Sequence, residues 1–228
     1  MAGRIRGTTT IMSDARLVRL FSWLSPVFPT GSYAYSAGLE QAVADGTVAS
    51  PADLRTWLEA ILVHGSPWND AVLLASASRA AHDEAELASL SRLAEALAGS
   101  VERYRETVGQ GAAFLAAVRH WFEGDRLRSG LPLAVAVGAA CGRAGVPLED
   151  ALAAWLNAVV SNQCQVAIRL SVVGQDGAAR VLCELEPAVV AAVRRAAASS
   201  TADLGTFAFV AEIAAMNHET LQPRLFLS

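Results

Sequence analysis

LEDALAAWLNAVVSNQCQVAIRLSV, the run from Leu148 to Val172, decides the fold class. Gly145-Val146-Pro147 breaks the chain before it, with Pro147 placed to open a helix, and Val172-Val173-Gly174-Gln175-Asp176-Gly177 ends it. From Ala151 to Ile168 the run carries no charge, a length that by itself suggests a membrane span. Asn157, Ser161, Asn162, Gln163 and Gln165 interrupt it, however, and amides at that density fit a helix buried in a soluble domain better than one in lipid. Within the helix Asn157, Ser161, Gln165 and Arg169 recur every four residues and so lie near one face. Such a strip is either a face turned to water or a hydrogen-bonded contact surface for another protein.

Outward from this centre the apolar periodicity is helical throughout, and no strand pattern competes. Ser13 can cap a first helix with Leu17, Leu20, Phe21 and Leu24 on one stripe, which Pro26 stops. Ser50-Pro51-Ala52-Asp53 opens another, whose stripe is Leu54, Trp57, Leu58, Ile61 and Leu62, and Ser66-Pro67 repeats the device. Leu87, Leu90, Ala94 and Leu97 mark a further helix. Val101, Tyr104, Val108, Leu115, Val118 and Phe122 mark a long one, and the two are either separate or joined with a bend. Glycine inside that long helix, at Gly109 and Gly111, suggests close approach of another backbone. Pro132 starts a small-residue helix to Cys141, Pro187 is expected to separate helices at 178–185 and 188–198, and a last helix holds Phe209, Ile213 and Met216. The expected fold is a single all-α domain over residues 13–228 packed around the helix at 148–172, after a disordered leader at 1–12.

Composition narrows the function. With 228 residues, 53% of them hydrophobic and only 18% charged, the chain has a large core or covers apolar surface with partners. Its 18 basic residues are all arginines and its net charge is −4, which argues against a nucleic-acid footprint. Without lysine there is no phosphate-binding Gly-x-x-x-x-Gly-Lys-Ser/Thr loop, so nucleotide hydrolysis falls to other proteins. Cys141, Cys164 and Cys183 form no Cys-x-x-Cys pair, and His64, His82, His120 and His218 are scattered, so the spacing offers no metal site and no cofactor site. No Gly-x-Ser-x-Gly elbow is present either, and a catalytic role is not expected. The first ten residues lack an apolar signal-peptide core, which places the protein in the cytoplasm.

Between the first two helices lies Ser25-Pro-Val-Phe-Pro-Thr-Gly-Ser-Tyr-Ala-Tyr-Ser-Ala-Gly-Leu-Glu40, the densest mixture of proline, glycine, tyrosine and hydroxyls in the chain. Gly31 permits a tight turn, Ser32 can cap a new helix with Tyr35, Leu39 and Val43 on one face, and Gly46 ends it. Gly38 inside that helix implies close packing by a neighbour. Ser25, Pro26, Pro29, Gly31, Ser36, Gly38, Leu39 and Glu40 together resemble the N-terminal signature of the urease accessory protein UreF family. The tail is similar to that family's C-terminus through Met216, His218, Glu219, Arg224, Leu225, Phe226 and Ser228, and departs at Asn217, Gln222, Pro223 and Leu227. Gln110-Gly111 also fits, as do Arg169, Gly174 and Gln175, although Val172 and Val173 do not.

The resemblance implies an all-α, non-catalytic urease maturation factor without cofactor. It would bind the accessory protein UreD (also called UreH) and recruit the GTPase UreG, helping nickel reach apo-urease, with a homodimer possible inside the accessory complex. A regulator of UreG hydrolysis and, from a different class, a small all-α enzyme are the alternatives. Asn157, Ser161, Gln165, Arg169, Gly174 and Gln175 are then expected at the GTPase-facing surface. Tyr33, Tyr35, Ser36 and Glu40, with His218, Glu219, Arg224, Leu225 and Phe226, are expected to hold UreD. Arg224 is expected beside Tyr33, Leu225 and Phe226 in an apolar pocket, and the tail ordered by its partner.

Overall fold

The computed structural model describes residues 10–124 and 126–228, and the side chains from residue 15 onward. The expected leader lies largely outside the described residues, but its last three positions are helical, because helix α1 spans Thr10–Trp23 and begins before Ser13. Ten α-helices and no strand occur among the described residues. After α1 they are α2 (Leu39–Ala44), α3 (Pro51–His64), α4 (Ser66–Arg79), α5 (Glu84–Ala96) and α6 (Val101–Val118), then α7 (Leu133–Arg143), α8 (Leu148–Arg169), α9 (Gln175–Ala197) and α10 (Phe209–His218). None is long and apolar enough to cross a membrane.

Capping chemistry sets most of the boundaries. Ser50 accepts from the Asp53 amide at the start of α3, Asp83 from the Ala85 and Glu86 amides at the start of α5, and Ser100 from the Arg103 amide at the start of α6. Ser100 therefore separates α5 from α6, which are two helices and not one with a bend. The five stripe residues of α3 are all buried.

The core is assembled by close packing of small residues. α7 lies against α4 so tightly that a Cβ at Gly138 would sit 2.3 Å from the Leu74 carbonyl oxygen, and one at Gly142 2.3 Å from that of Ser78. Gly138→Ala is expected to cost about 1–3 kcal/mol, because a backbone oxygen cannot move aside as a side chain can. A urea melt that left the midpoint unchanged would show α4 and α7 able to slide apart. α8 packs against α9, α4, α7, α3, α2 and α1, which makes it the hub expected from its composition.

Several local expectations give way to tertiary context. No α-helix starts at Ser32, since Ser32–Ala34 is a single 3-10 turn, and α2 begins only after Gly38. Gly38 is thus the residue before the helix, at φ 83°, and a Cβ there would lie 2.7 Å from the Ala215 amide nitrogen of α10. The close approach was legible; its place was not. Gly111 likewise meets the Leu131 carbonyl oxygen, while Gly109 faces open space. α8 stops at Arg169, short of Val172, and Gln175-Asp176-Gly177 opens α9 in place of a loop. Pro187 does not divide α9: Val181, Leu185, Ala192, Val193 and Ala196 form one buried face along it, and that burial outweighs the hydrogen bond proline cannot make.

Candidate functional site

The signature loop and the C-terminal segment, far apart in sequence, are one structure. α2 brings Glu40 and α6 brings Glu102 to either side of His218, the last residue of α10, which is completely buried. His218 Nε2 lies 2.9 Å from Glu40 Oε2 and Nδ1 lies 2.8 Å from Glu102 Oε2. Glu40 also accepts from the amides of Leu225 at 2.6 Å and Phe226 at 3.1 Å, and Glu102 accepts from the Arg224 guanidinium. Each ring nitrogen of His218 is thereby engaged by a carboxylate oxygen, with the donor and acceptor roles set by its tautomer. Glu102 meets the Arg224 guanidinium in a charge-assisted hydrogen bond, and Glu40 gathers two backbone amides, so the buried cluster ties α2, α6 and α10 to the segment at 224–226.

Beyond this cluster the segment runs along the signature loop. Leu227 N donates to the Ala34 carbonyl at 2.8 Å, and Ser36 N donates to the Ser228 carbonyl at 2.8 Å, with the Ser36 hydroxyl on the same oxygen. α8 closes the other side: Gln163 Nε2 reaches the Ser36 carbonyl at 2.9 Å, Asn162 Nδ2 the Tyr35 carbonyl at 3.4 Å, and Arg169 the Tyr33 carbonyl at 2.6 Å. The Arg169 guanidinium also lies 4.1 Å from the centroid of the Phe226 ring. Phe226 is buried between these groups, at 2% exposure.

A second polar cluster adjoins. Ser228 Oγ lies 3.4 Å from Glu106 Oε2 on α6, and Arg103, one turn earlier, pairs with both Glu106 and Asp70. Burial pushes the Glu106 carboxyl up against the pull of Arg103. Burial works against the Arg103 charge too, but Asp70 and Glu106 more than offset it and hold the guanidinium protonated. The Tyr35 hydroxyl is raised by burial and by the Glu106 charge. Burial also raises Glu212 on α10.

Several expected placements are corrected here. Arg224 pairs with Glu102 and not with Tyr33, whose carbonyl is taken by Arg169. Leu225 does not share the pocket of Phe226: Leu225 is 65% and Leu227 55% exposed, on either side of the buried ring. The chain itself seats the segment, through Glu40, Glu102 and the signature loop. Arg169 is tied down by Tyr33 and Phe226, whereas Asn157 and Gln165 are exposed, Ser161 is half-buried, and none of these three makes a side-chain hydrogen bond among the described residues. Gly174 precedes α9 and Gln175 is its exposed first residue. Tyr33 is 70% exposed, and Glu219 Oε1 accepts from the Val101 amide at the start of α6.

Sequence reading did not place Glu102 or Glu106 at the site, nor Asn162 and Gln163, and Gln110, quoted there only with Gly111, donates to Glu106 at 3.2 Å. A signal existed: Glu102, Glu106 and Gln110 recur every four residues, which places three polar groups on one stripe of the helix.

Among the described residues no group of three or more histidine, cysteine, aspartate and glutamate side chains could hold a metal ion. Burial pushes the Cys141 thiol up to about 12 and that of Cys164 up to about 11, while Cys183 is exposed on α9. A disulfide-reagent titration is therefore expected to find one reactive thiol in the native protein and three in denaturant; two fast native thiols would contradict the buried positions.

Comparison with known proteins adds an independent line. A family model for UreF matches residues 48–186, a span lying between the signature loop and the C-terminal segment. Over 226 residues the chain is 52% identical to the urease accessory protein UreF of Brucella ovis, covering 96% of this chain and 98% of that protein. It is 50% identical over 214 residues to the urease accessory protein UreF of Sinorhizobium medicae, covering 93% and 96%. It is 48% identical over 221 residues to the urease accessory protein UreF 1 of Brucella anthropi, covering 96% and 97%.

Proposed function

Because the chain belongs to the UreF family of urease accessory proteins, we propose that it serves urease maturation as a non-catalytic adaptor. It binds UreD/UreH, recruits the GTPase UreG, and so assists nickel insertion into apo-urease. The observation that carries this reading is the pinned C-terminal segment. Buried charges hold its backbone in place while Leu225 and Leu227 are left outside. On the preceding helix α10, Phe209, Val210, Ile213 and Met216 are exposed as well, at 71%, 61%, 49% and 42%. An apolar surface kept rigid in water is a cost to an isolated protein and an asset to one that docks.

The polar atoms of the site support the same reading. Ser36, Glu40, Glu102 and His218 are consumed in hydrogen bonds that hold chain to chain, and no reactive group stands free among them. Co-expression with UreD and UreG tests the proposal: UreD is expected to co-purify with this protein alone, and UreG only when both are present. Failure of UreD to co-elute at micromolar concentration would overturn the adaptor reading.

A further inference from the structure

Asp70 on α4, Arg103 and Glu106 on α6, and Glu212 on α10 line one pocket, partly open to solvent, on the inner side of the helix whose outer face carries Phe209, Val210, Ile213 and Met216. The charges there are uneven. Arg103 pairs with Asp70 and, at 3.3 Å, with Glu106. Glu212 Oε2 stands 3.1 Å from the place a Cβ on Gly99 would take, so α10 turns its one carboxylate toward the start of α6. Three carboxyl groups from three helices thus share one guanidinium, and among the described residues no other ion pair reaches any of them.

The neighbouring groups leave that balance as it is. Glu102, one turn before Glu106, is taken by Arg224 and His218, and Glu40 by His218 and the amides of Leu225 and Phe226. Gln110 on α6 donates to Glu106 at 3.2 Å, and the Ser228 hydroxyl lies 3.4 Å from it. Tyr35 of the signature loop, with Asn162 and Gln163 of α8, adds polar lining without a charge. Full ionisation therefore leaves two negative charges in excess between α4, α6 and α10, at positions where burial weakens screening. Holding a proton relieves the repulsion. Burial acts in the same direction on Glu106 and on Glu212, raising both carboxyls against the pull of Arg103, and the Asp70 charge adds to each rise.

We propose that Asp70, Arg103, Glu106 and Glu212 form a proton-sensitive latch on α10. While the group holds a proton it keeps α10 seated on α6; as the proton leaves, repulsion from Asp70 and Glu106 pushes Glu212 off and slackens the helix. An acid that binds its proton more tightly in the folded protein contributes stability that is fully present below the ordinary carboxylate pKa and is lost as pH rises through the raised one. The helix is thus held most firmly at mildly acidic pH. The latch is a property of the fold and does not depend on the adaptor reading.

Hydrogen exchange on the intact protein reads it. Protection factors of the α10 amides, taken relative to those of α7 in the core, are expected to fall by about tenfold or more between about pH 5 and pH 8 in the wild type. In Glu212→Gln the ratio is expected to change by less than about threefold over the same range, since α10 then carries no charge for the others to repel. A constant ratio in the wild type overturns the proposal. So does an equal fall in Glu212→Gln, which assigns the pH dependence to the His218 pairs at the other end of α10. Titration of the glutamate carboxyl carbons of the wild type by NMR needs no variant: midpoints for Glu106 and Glu212 above the ordinary value of about 4.3 support the latch, and ordinary midpoints for both overturn it.

Discussion

Glu40→Gln is expected to release the C-terminal segment and to destabilise the protein by about 3–5 kcal/mol, the cost of leaving the buried partners of its carboxylate without it. The substitution is close to isosteric, so the effect isolates charge and donor pattern from shape. The two Glu40 oxygens accept from the Leu225 and Phe226 amides and lie against His218 Nε2. Glutamine retains one acceptor oxygen and puts an NH₂ group against donors it cannot accept from. His218 then faces one carboxylate where it had two, in a site with no exposure to water. For a chain of this size each kcal/mol moves Tm by roughly 2–4 °C, so a fall on the order of 10 °C is expected by calorimetry. UreD capture is expected to fall with it, since the exposed side chains lose their fixed frame. A Tm within about 1 °C of wild type would mean that Glu40 does not hold the segment.

The relation between sequence and structure at this site has a definite physical form. Where a residue's role depends on near neighbours, sequence reading succeeds: Ser50 and Ser100 cap the helices they precede, and the apolar stripe of α3 is buried as its spacing dictates. Where the role depends on a partner a hundred residues away, spacing is silent. The composition around Arg224 gives no reason to prefer Glu102 over Tyr33, because both offer an acceptor and only the fold sets the distance. α10 shows the same limit. Its large residues Phe209, Ile213 and Met216 look like a core face, yet Ala214 and His218 are the buried ones. Gly38 explains why: it admits the α10 backbone so closely that only small side chains fit between. α1 behaves alike, with Leu20 and Trp23 inside while Leu17 and Phe21 face out. In both helices some large apolar residues are on the outside, which amphipathic patterning alone does not anticipate.

Phe226→Ala and Leu225→Asp are expected to separate holding the segment from using it. Phe226 is the anchor: it is buried against Arg169 and the signature loop, and truncating a buried phenylalanine costs about 3–5 kcal/mol when the fold cannot relax. A segment held chiefly by these few contacts opens locally, so the loss is expected to appear as detachment more than as global unfolding. The amides of Leu225, Phe226 and Leu227 report this directly, since they donate to Glu40 and to the Ala34 carbonyl. They are expected to be protected from hydrogen exchange in the wild type and to lose protection in Phe226→Ala, with UreD capture lost as well. Leu225→Asp is the converse. Leu225 is 65% exposed and its backbone, not its side chain, makes the hydrogen bond, so protection and Tm are expected to stay near wild type. A carboxylate placed in an apolar interface nonetheless leaves a desolvated, unpaired charge, and UreD binding is expected to weaken by at least about 2 kcal/mol, some thirtyfold. Retained protection in Phe226→Ala would show that the backbone bonds to Glu40 suffice without the ring. Wild-type capture of UreD by Leu225→Asp would remove the exposed side of the segment from the docking surface and leave the α10 face, Phe209 to Met216, as the surface to test.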